Sequence, residues 1–169
     1  AWTTTPWTLP SNTALAVNEE VDYCLIKHGK ENYILAKDRA VSSGFSDSPA
    51  TSSGSEFKGK NLAGLEYELL YEISAIKNSG KKAYYIVSAD FVNTEDGTGI
   101  VHIAPMHGED DYNIGVKYDL PIAPLLDSSG HFNKEAPEFI QGFYLKKGEK
   151  YIKEDLEKRG LIFAKQAHT

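Results

Sequence analysis

The sequence predicts an α+β fold that is mostly β, with an antiparallel, barrel-like core and two or three short helices. Three observations support this prediction. Short runs of β-branched, aromatic and alternating apolar residues, separated by glycine-rich turns, are typical of strands. Only two segments have the residue types and spacing of a helix. Strands and helices do not alternate regularly, so a doubly wound parallel sheet is not expected.

The elements follow in order along the chain. Residues 1–17 should form a short strand and then an irregular loop, because Pro6 and Pro10 interrupt a ladder. Alternating apolar residues around a polar, glycine-containing turn predict a hairpin over 21–37. The Ser/Gly-rich stretch 42–56 should be a flexible surface loop. The remaining predicted elements are strands over 65–73, 83–92 and 100–105 and helices over 109–118 and 148–160.

Composition limits the class of protein. With 169 residues, 41% of them hydrophobic and 25% charged, the chain is expected to form a single domain over 1–169. The only cysteine, Cys24, cannot form an internal disulfide, and zinc-ligand spacing is missing, so we expect a reducing, cytoplasmic location, no metal and no cofactor. No apolar run reaches the roughly 20 residues that span a bilayer. The only methionine is Met106, so we expect the chain to be a piece excised from a longer protein.

Two segments carry candidate chemistry. The first runs from Thr3 to Asn12, where hydroxyl and amide groups are kept from full ladder pairing by two prolines. Such a segment could surround a neutral polar ligand. The alternative is an edge strand that ends in a Ser-Asn turn. The net charge of −6 argues against a protein that coats nucleic acid through its phosphates, although it allows binding of one nucleotide end.

The second segment, residues 97–112, combines a glycine turn, a strand with His102 and an acidic helix start. In a helix, Asp111 shares its face with the residues that pack inward, so it is the candidate buried carboxylate and would need a cation as partner. The alternative for Asp111 is a first-turn residue that stabilises its own helix. His102 should face away from its strand neighbours, toward a cavity or water; the alternative is an ordinary strand histidine. His107 is read as a loop residue.

Several known site types lack support. The sequence contains no P-loop, no dinucleotide-binding glycine motif, no nucleophile elbow of serine hydrolases and no zinc-protease helix. Cys24, in an apolar strand, is expected to be an inert core thiol.

The two motifs together resemble the editing domain inserted into class I isoleucyl-tRNA synthetases. WTTTPWTLPSN (2–12) and GTGIVHIAPMHGEDDY (97–112) match the two motifs of that domain in order, and the likeness extends to 57–70 and 118–163. Valyl and leucyl relatives carry Thr-Arg-Pro where this chain has Thr5-Pro6-Trp7, which favours the isoleucyl branch. The HIGH and KMSKS signatures of the aminoacylating core are missing, so aminoacylation by this piece is not expected.

The resemblance implies hydrolysis of the ester in tRNA(Ile) mischarged with valine, an aminoacyl-tRNA deacylase reaction, with valyl-adenylate as a further candidate substrate. A binding pocket distinguishes two amino acids that differ by one methylene by only about 1–3 kcal/mol, a magnitude known from this enzyme family itself. A second, smaller site therefore hydrolyses the products that carry the smaller amino acid. The implied partners are the 3′ acceptor end of tRNA(Ile) and the remainder of the parent synthetase. A monomer is expected.

The resemblance also implies site residues. Asp111 matches the carboxylate that binds the substrate ammonium, and Thr5 matches the threonine near the ester and the attacking water. Trp7 and His102 match residues of the side-chain pocket, where His102 could also orient water or the terminal ribose. The predicted catalytic residues are Thr5, His102 and Asp111. The predicted substrate-binding residues are Thr3, Thr4, Trp7, Thr8, Asn12, His102 and Asp111.

Three alternatives stay open. The chain could capture aminoacyl-adenosine without turnover, because it lacks the body that positions tRNA. It could be the editing domain of a valyl or leucyl relative. It could also be an unrelated β-rich interaction protein, which would require both motif matches to be accidental.

Overall fold

The structure is a computed structural model that describes residues 1–45 and 55–165. The chain forms two compact units, each assembled from segments that are distant in sequence. Unit 1 comprises Ala1–Thr3, Ala14–Glu68 and Tyr84–Ile103, and unit 2 comprises Thr4–Thr13, Leu69–Ala83 and Ala104–Thr169.

Unit 1 contains the strands. They are β1 (Ala14–Val17), β2 (Asp22–His28), β3 (Glu31–Ala36), β4 (Glu56–Lys58), β5 (Tyr85–Ser88) and β6 (Val101–Ile103). Short helical turns cover Lys37–Arg39, Val41–Phe45 and Gly59–Asn61. The strands form two three-stranded sheets, with the orders β5-β1-β6 and β3-β2-β4.

The β3-β2-β4 sheet contains the predicted hairpin. β2 and β3 pair antiparallel from Tyr23 opposite Ala36 to His28 opposite Glu31, and Gly29 in the turn has a positive φ of 63°. Two groups of buried side chains pack around this hairpin. The first consists of Val17, Tyr23, Ala36, Leu62 and Ile100, and the second of Cys24, Ile26, Leu35, Ala40 and Phe45. The prediction of a hairpin is confirmed, and Cys24 is buried in its first strand.

The other sheet has a buried centre. β1 pairs parallel with β5 and antiparallel with β6, and its residues Ala14, Ala16 and Val17 are fully buried. The small alanine side chains suit a central strand that is covered on both sides. A parallel pair needs a long connection between its strands, and here that connection contains the whole second sheet. The sequence predicted an irregular loop at 14–17, but this segment is β1. The strand was not recognised because its short apolar run lacks the polar and apolar alternation of a half-buried strand.

Unit 2 contains the α-helices of the described residues. They are α1 (Ser74–Lys77), α2 (Glu109–Lys117) and α3 (Leu145–Lys158), with 3-10 helices over Pro6–Ser11 and Glu138–Ile140. The predicted helix over 109–118 is confirmed as α2, whose C-cap is Tyr118. The loop predicted after the first residues is instead the 3-10 helix Pro6–Ser11, which begins with a proline whose fixed φ suits the first helical position.

Helix α3 begins three residues before the predicted start at Gly148. Gly148 lies inside the helix because it packs against Phe132, where an added Cβ would lie 2.4 Å from the Phe132 ring. The predicted end is confirmed: Gly160 N–H donates to Glu157 O and Leu161 N–H to Leu156 O, the two bonds of a Schellman motif.

The predicted strand over 65–73 was wrong. It contributes only one bridge, between Glu66 and Tyr85, and from Leu69 the chain belongs to unit 2. Within that part, the Arg159 guanidinium donates to Leu70 O at 3.0 Å, so this carbonyl bonds a side chain and not a neighbouring strand. The predicted strand over 83–92 is shortened to β5, and that over 100–105 to β6.

The α+β class is confirmed, with three α-helices and two sheets in the described residues. These sheets do not close into a barrel within 1–45 and 55–165. The flexible loop predicted over 42–56 lies mostly at 46–54, outside the described residues. At its edges, Val41–Phe45 is a helical turn and β4 begins at Glu56.

The glycine turn before β6 should be required for folding. Gly99 has a φ of 70°, and an added Cβ would lie 2.5 Å from Ala36 Cβ, whereas Gly29 has a similar φ of 63° and nothing within 4 Å. We expect Gly29→Ala to cost about 1 kcal/mol of unfolding free energy, the backbone cost alone, and Gly99→Ala to cost about 3 kcal/mol because a clash is added. Urea unfolding of both variants measures the difference. Equal losses would show that the close approach of the turn to β3 does not matter.

Candidate active site

The threonine run leads into the 3-10 helix of unit 2. Thr5 is the N-cap residue, and its carbonyl accepts two hydrogen bonds, from Thr8 N at 3.0 Å and from Thr8 Oγ1 at 2.8 Å. Thr8 is buried, whereas Thr4 and Thr5 are exposed. The helix start therefore uses the hydroxyl of Thr8 for its own structure and presents the side chains of Thr4 and Thr5 at the surface of the unit. The edge-strand alternative was wrong for 6–11.

The end of the same segment buries polar side chains. Ser11, Asn12 and Thr13 are each at most 5% exposed. Ser11 Oγ donates to Ala123 O at 3.3 Å. The buried Thr13 hydroxyl has no hydrogen-bond partner among residues 1–45 and 55–165. Buried hydroxyl and amide groups are costly unless they are bonded, so this segment is an unusually polar part of the interior.

Asp111 lies in the first turn of α2. Its Oδ2 accepts a hydrogen bond from Ala104 N at 2.8 Å, across the loop that joins β6 to α2. The loop is closed further by Gly115, which packs so tightly on Pro105 that an added Cβ would lie 2.8 Å from Pro105 Cβ. The carboxylate is thus held in place by a backbone N–H, and the loop is held by helix packing.

The electrostatic surroundings of Asp111 are unusual for a carboxylate. The side chain is half-buried, and burial raises its pKa above the usual 3.8. The hydrogen bond from Ala104 lowers the pKa and the charge of Asp110 raises it, so the charged neighbour has the same sign. Among the described residues no cation compensates Asp111. Asp111 is therefore half-buried and not fully buried as predicted, and the cation that it was expected to need is not supplied by the described residues.

Asp111 differs from the other acidic residues of its helix turn. Glu109 and Asp110 are exposed. The helix-stabilising alternative for Asp111 does not explain its hydrogen bond, because Oδ2 is bonded to Ala104, outside the helix, and not to a backbone N–H of its own first turn. A half-buried carboxylate with a fixed oxygen and no cation is suited to bind a cationic group from outside the chain.

His107 was missed as a site residue. Its ring is half-buried in unit 2, its Nε2 lies 3.2 Å from Ser11 Oγ, and it contacts Trp7 edge to face, with ring centroids 4.9 Å apart and an interplanar angle of 73°. Burial lowers the pKa of His107 below its usual value. One feature of the sequence could have identified His107 as a candidate site residue: it lies between the strand that contains His102 and the helix that contains Asp111.

Thr3 and His102 belong to unit 1. His102 is in β6, opposite Leu15 of β1, and is only 7% exposed. Its neighbour Ile103 is fully buried, so β6 is covered on both faces. The alternative of an ordinary strand histidine covered a satisfied or an exposed ring, and burial contradicts only the exposed form. Thr3 is half-buried. The other predicted site residues all belong to unit 2: Thr4, Thr5, Trp7, Thr8, Asn12 and Asp111.

Other site types find little support. Burial raises the pKa of the Cys24 thiol above its usual range, so the thiolate needed for attack is disfavoured. Within 1–45 and 55–165, no three His, Cys, Asp or Glu side chains are grouped to hold a metal ion. None of the helices in the same ranges has the length and apolar character to cross a membrane.

Known proteins with a similar sequence match the whole length of this chain. No family model matches. The isoleucine–tRNA ligase of Clostridium acetobutylicum is 45% identical over 169 residues, 100% of this chain and 16% of that protein. The isoleucine–tRNA ligase of Tetrahymena thermophila is 42% identical over 170 residues, 96% of this chain and 15% of that protein. The chain therefore spans about one sixth of the length of the curated relatives that it matches.

Solved structures show the same fold. GlLeuRS-CP1 superposes with a TM-score of 0.69 at 16% identity, covering 99% of this chain and 82% of that one. The editing domain of the P. knowlesi cytosolic leucyl-tRNA synthetase superposes with a TM-score of 0.65 at 15% identity, covering 93% and 80%. The chain is thus homologous along its whole length to one segment of the isoleucine–tRNA ligases, and it has the fold of leucyl-tRNA synthetase editing domains.

Proposed function

We propose that this chain is an editing domain that hydrolyses the ester of tRNA(Ile) mischarged with valine. The observation that carries the proposal is Asp111, a half-buried carboxylate that is fixed by Ala104 N–H and has no compensating cation among the described residues. An aminoacyl ester carries a free α-ammonium group, which would supply that cation. Few other substrates present an ammonium two bonds from a reactive ester carbonyl.

Thr5 is proposed to act beside the ester. Its side chain is exposed at the start of the 3-10 helix, while its carbonyl is held by Thr8. A fixed backbone places the hydroxyl with little freedom, as required of a group that orients an attacking water. Thr3 and Thr4 are proposed to contribute further hydroxyls to the substrate.

The other predicted residues receive proposed binding roles. By its likeness to the ligases, Trp7 would contact the amino-acid side chain of the substrate. The same likeness would give His102 a role in binding that side chain or in orienting water or the terminal ribose. Thr8 shapes the site by bonding Thr5 O, and the buried Asn12 would support binding of the terminal adenosine. The valine preference, the tRNA acceptor end as partner, and the further use of valyl-adenylate rest on the likeness to the ligases. The monomeric state and cytoplasmic location stay predictions.

Hydrolysis would proceed by direct attack of water on the ester carbonyl. The carboxylate of Asp111 holds the ammonium and so fixes the ester, and hydroxyl or backbone donors stabilise the negative charge that develops on the carbonyl oxygen. The water loses a proton and the terminal ribose oxygen leaves with one. No covalent intermediate is required, which agrees with the buried Cys24.

Loss of the Asp111 charge should remove turnover. We expect Asp111→Asn to lower the rate of Val-tRNA(Ile) deacylation by about a hundredfold, because a charged hydrogen-bond partner contributes about 3 kcal/mol. The control is Asp110→Asn, which removes an exposed carboxylate from the same helix turn. Deacylation of Val-tRNA(Ile) and Ile-tRNA(Ile) by the wild-type chain and both variants is the measurement. Full activity in Asp111→Asn would end the proposal.

The same assay distinguishes the deacylase from a module that only binds aminoacyl-adenosine. A wild-type chain that binds a non-hydrolysable valyl-adenosine analogue but releases no valine from the tRNA would be a capture module. Turnover that requires Asp111 supports the deacylase.

Stability should depend on pH in a way that reflects the raised pKa of Asp111. Because the folded state holds the Asp111 proton more tightly than the unfolded state, this group favours folding most below the unfolded pKa near 3.8. That contribution is lost as the pH rises through the higher folded pKa. We therefore expect Asp111→Asn to be at least as stable as the wild type at pH 7, with the Ala104 hydrogen bond kept by the amide oxygen.

Thermal unfolding at pH 4 and pH 7 measures this effect. The advantage of Asp111→Asn over the wild type should be larger at pH 7 than at pH 4. A clear loss of stability in the variant at pH 7 would show that the carboxylate serves the fold and not a ligand.

A further inference from the structure

His107 occupies a position where the sequence gives no reason for a fixed ring. It lies in the short loop between β6 and α2, beside Gly108, where a histidine would ordinarily be solvated. The structure instead buries half of it against two residues of the 3-10 helix, Trp7 and Ser11. The ring thus connects the loop before α2 to the segment that carries the threonine run, inside unit 2.

The hydrogen-bond pattern fixes how His107 is held. The hydroxyl of Ser11 has one proton, and Ala123 O can only accept, so Ser11 Oγ donates to Ala123. The contact between His107 Nε2 and Ser11 Oγ is then a bond in which the imidazole N–H donates. This bond forms whether the ring is neutral or protonated, because Nε2 carries a proton in both states. His107 is therefore anchored independently of its charge.

The Trp7 indole contacts the anchored imidazole ring of His107. Pro6 precedes Trp7 in the 3-10 helix, so the backbone at this point is constrained, but the two side-chain torsions of the indole are not. The edge-to-face contact with His107 favours one orientation of the indole, and such contacts contribute about 0.5–1.5 kcal/mol. Among the described residues, His107 is the aromatic ring that contacts Trp7.

We propose that His107 is a positioning residue that holds the Trp7 indole in place and thereby sets the size of the amino-acid side chain that the site accepts. This inference rests on the proposed function, in which Trp7 lines the side-chain pocket. His107 does not touch the reacting atoms in this account. It acts through Trp7, so its loss should change selectivity between valine and isoleucine more than the rate on valine.

Selectivity is measured as the ratio of kcat/KM for Val-tRNA(Ile) to kcat/KM for Ile-tRNA(Ile). We expect His107→Ala to lower this ratio by about tenfold, the lower end of what one methylene contributes in this enzyme family. The rate on valine should fall by less than about threefold, because Asp111 still holds the ammonium. His107→Phe keeps an aromatic edge against Trp7 and should recover most of the ratio.

A matched control is His131→Phe. His131 also contacts an aromatic ring edge on, Tyr144 at 5.6 Å, but in a different loop of unit 2. The control should leave the ratio unchanged. An unchanged ratio in His107→Ala would overturn the inference, as would an equal loss in His131→Phe.

Fluorescence of Trp7 tests the positioning step without any tRNA. The chain has two tryptophans, so in a Trp2→Phe background Trp7 is the only one. His107→Ala should raise acrylamide quenching and lower the steady-state anisotropy of Trp7, and Ser11→Ala should do the same to a smaller degree. Unchanged quenching and anisotropy in His107→Ala would overturn the positioning role even if the selectivity changed.

Trp7 fluorescence and substrate selectivity together allow the role of His107 and the proposed function to fail independently. A chain without deacylase activity would end the proposed function, and selectivity would then be read from the affinities for non-hydrolysable valyl-adenosine and isoleucyl-adenosine analogues. If His107→Ala loosens Trp7 but leaves that affinity ratio unchanged, the link from His107 to selectivity is wrong.

Discussion

The hydrogen bond from Ala104 N–H to the carboxylate of Asp111 is the constraint on which the candidate site depends. It connects the residue that follows β6 to the first turn of α2, and so fixes a charged oxygen relative to the loop between them. Gly115 allows the helix to pack directly on Pro105 in the same loop. Without this closure the carboxylate would turn to solvent, where it would need no ligand and would offer no selectivity.

The polar groups of the candidate site reduce the stability of the fold. A half-buried carboxylate without a cation is unfavourable, and burial accordingly raises the pKa of Asp111. The Thr13 hydroxyl, in the same unit, is fully buried and has no hydrogen-bond partner in the part of the chain that the structure describes. Removing such groups from water without a partner costs stability. Polar groups that are removed from water without a partner are expected where a ligand completes them, and both of these groups lie in unit 2.

Local patterns in the sequence predicted some of these features and could not predict others. The acidic helix start and the inward face of Asp111 followed from helix periodicity alone, because both are properties of one turn of helix. The hairpin over 21–37 followed from alternation in the same way. The segment 65–73 has comparable apolar content, yet it is not a strand: it makes one bridge at Glu66, and its Leu70 carbonyl bonds the guanidinium of Arg159, far along the chain. His107 was missed for the same reason, since its partners Trp7 and Ser11 are distant in sequence.

The pKa of the Asp111 carboxyl group, followed by NMR with and without a non-hydrolysable valyl-adenosine analogue, tests the central claim most directly. The account predicts a pKa above 3.8 in the free protein and a lower pKa in the complex, because an ammonium beside the carboxylate favours its charged form. An analogue that binds and leaves the pKa of Asp111 unchanged would contradict the account.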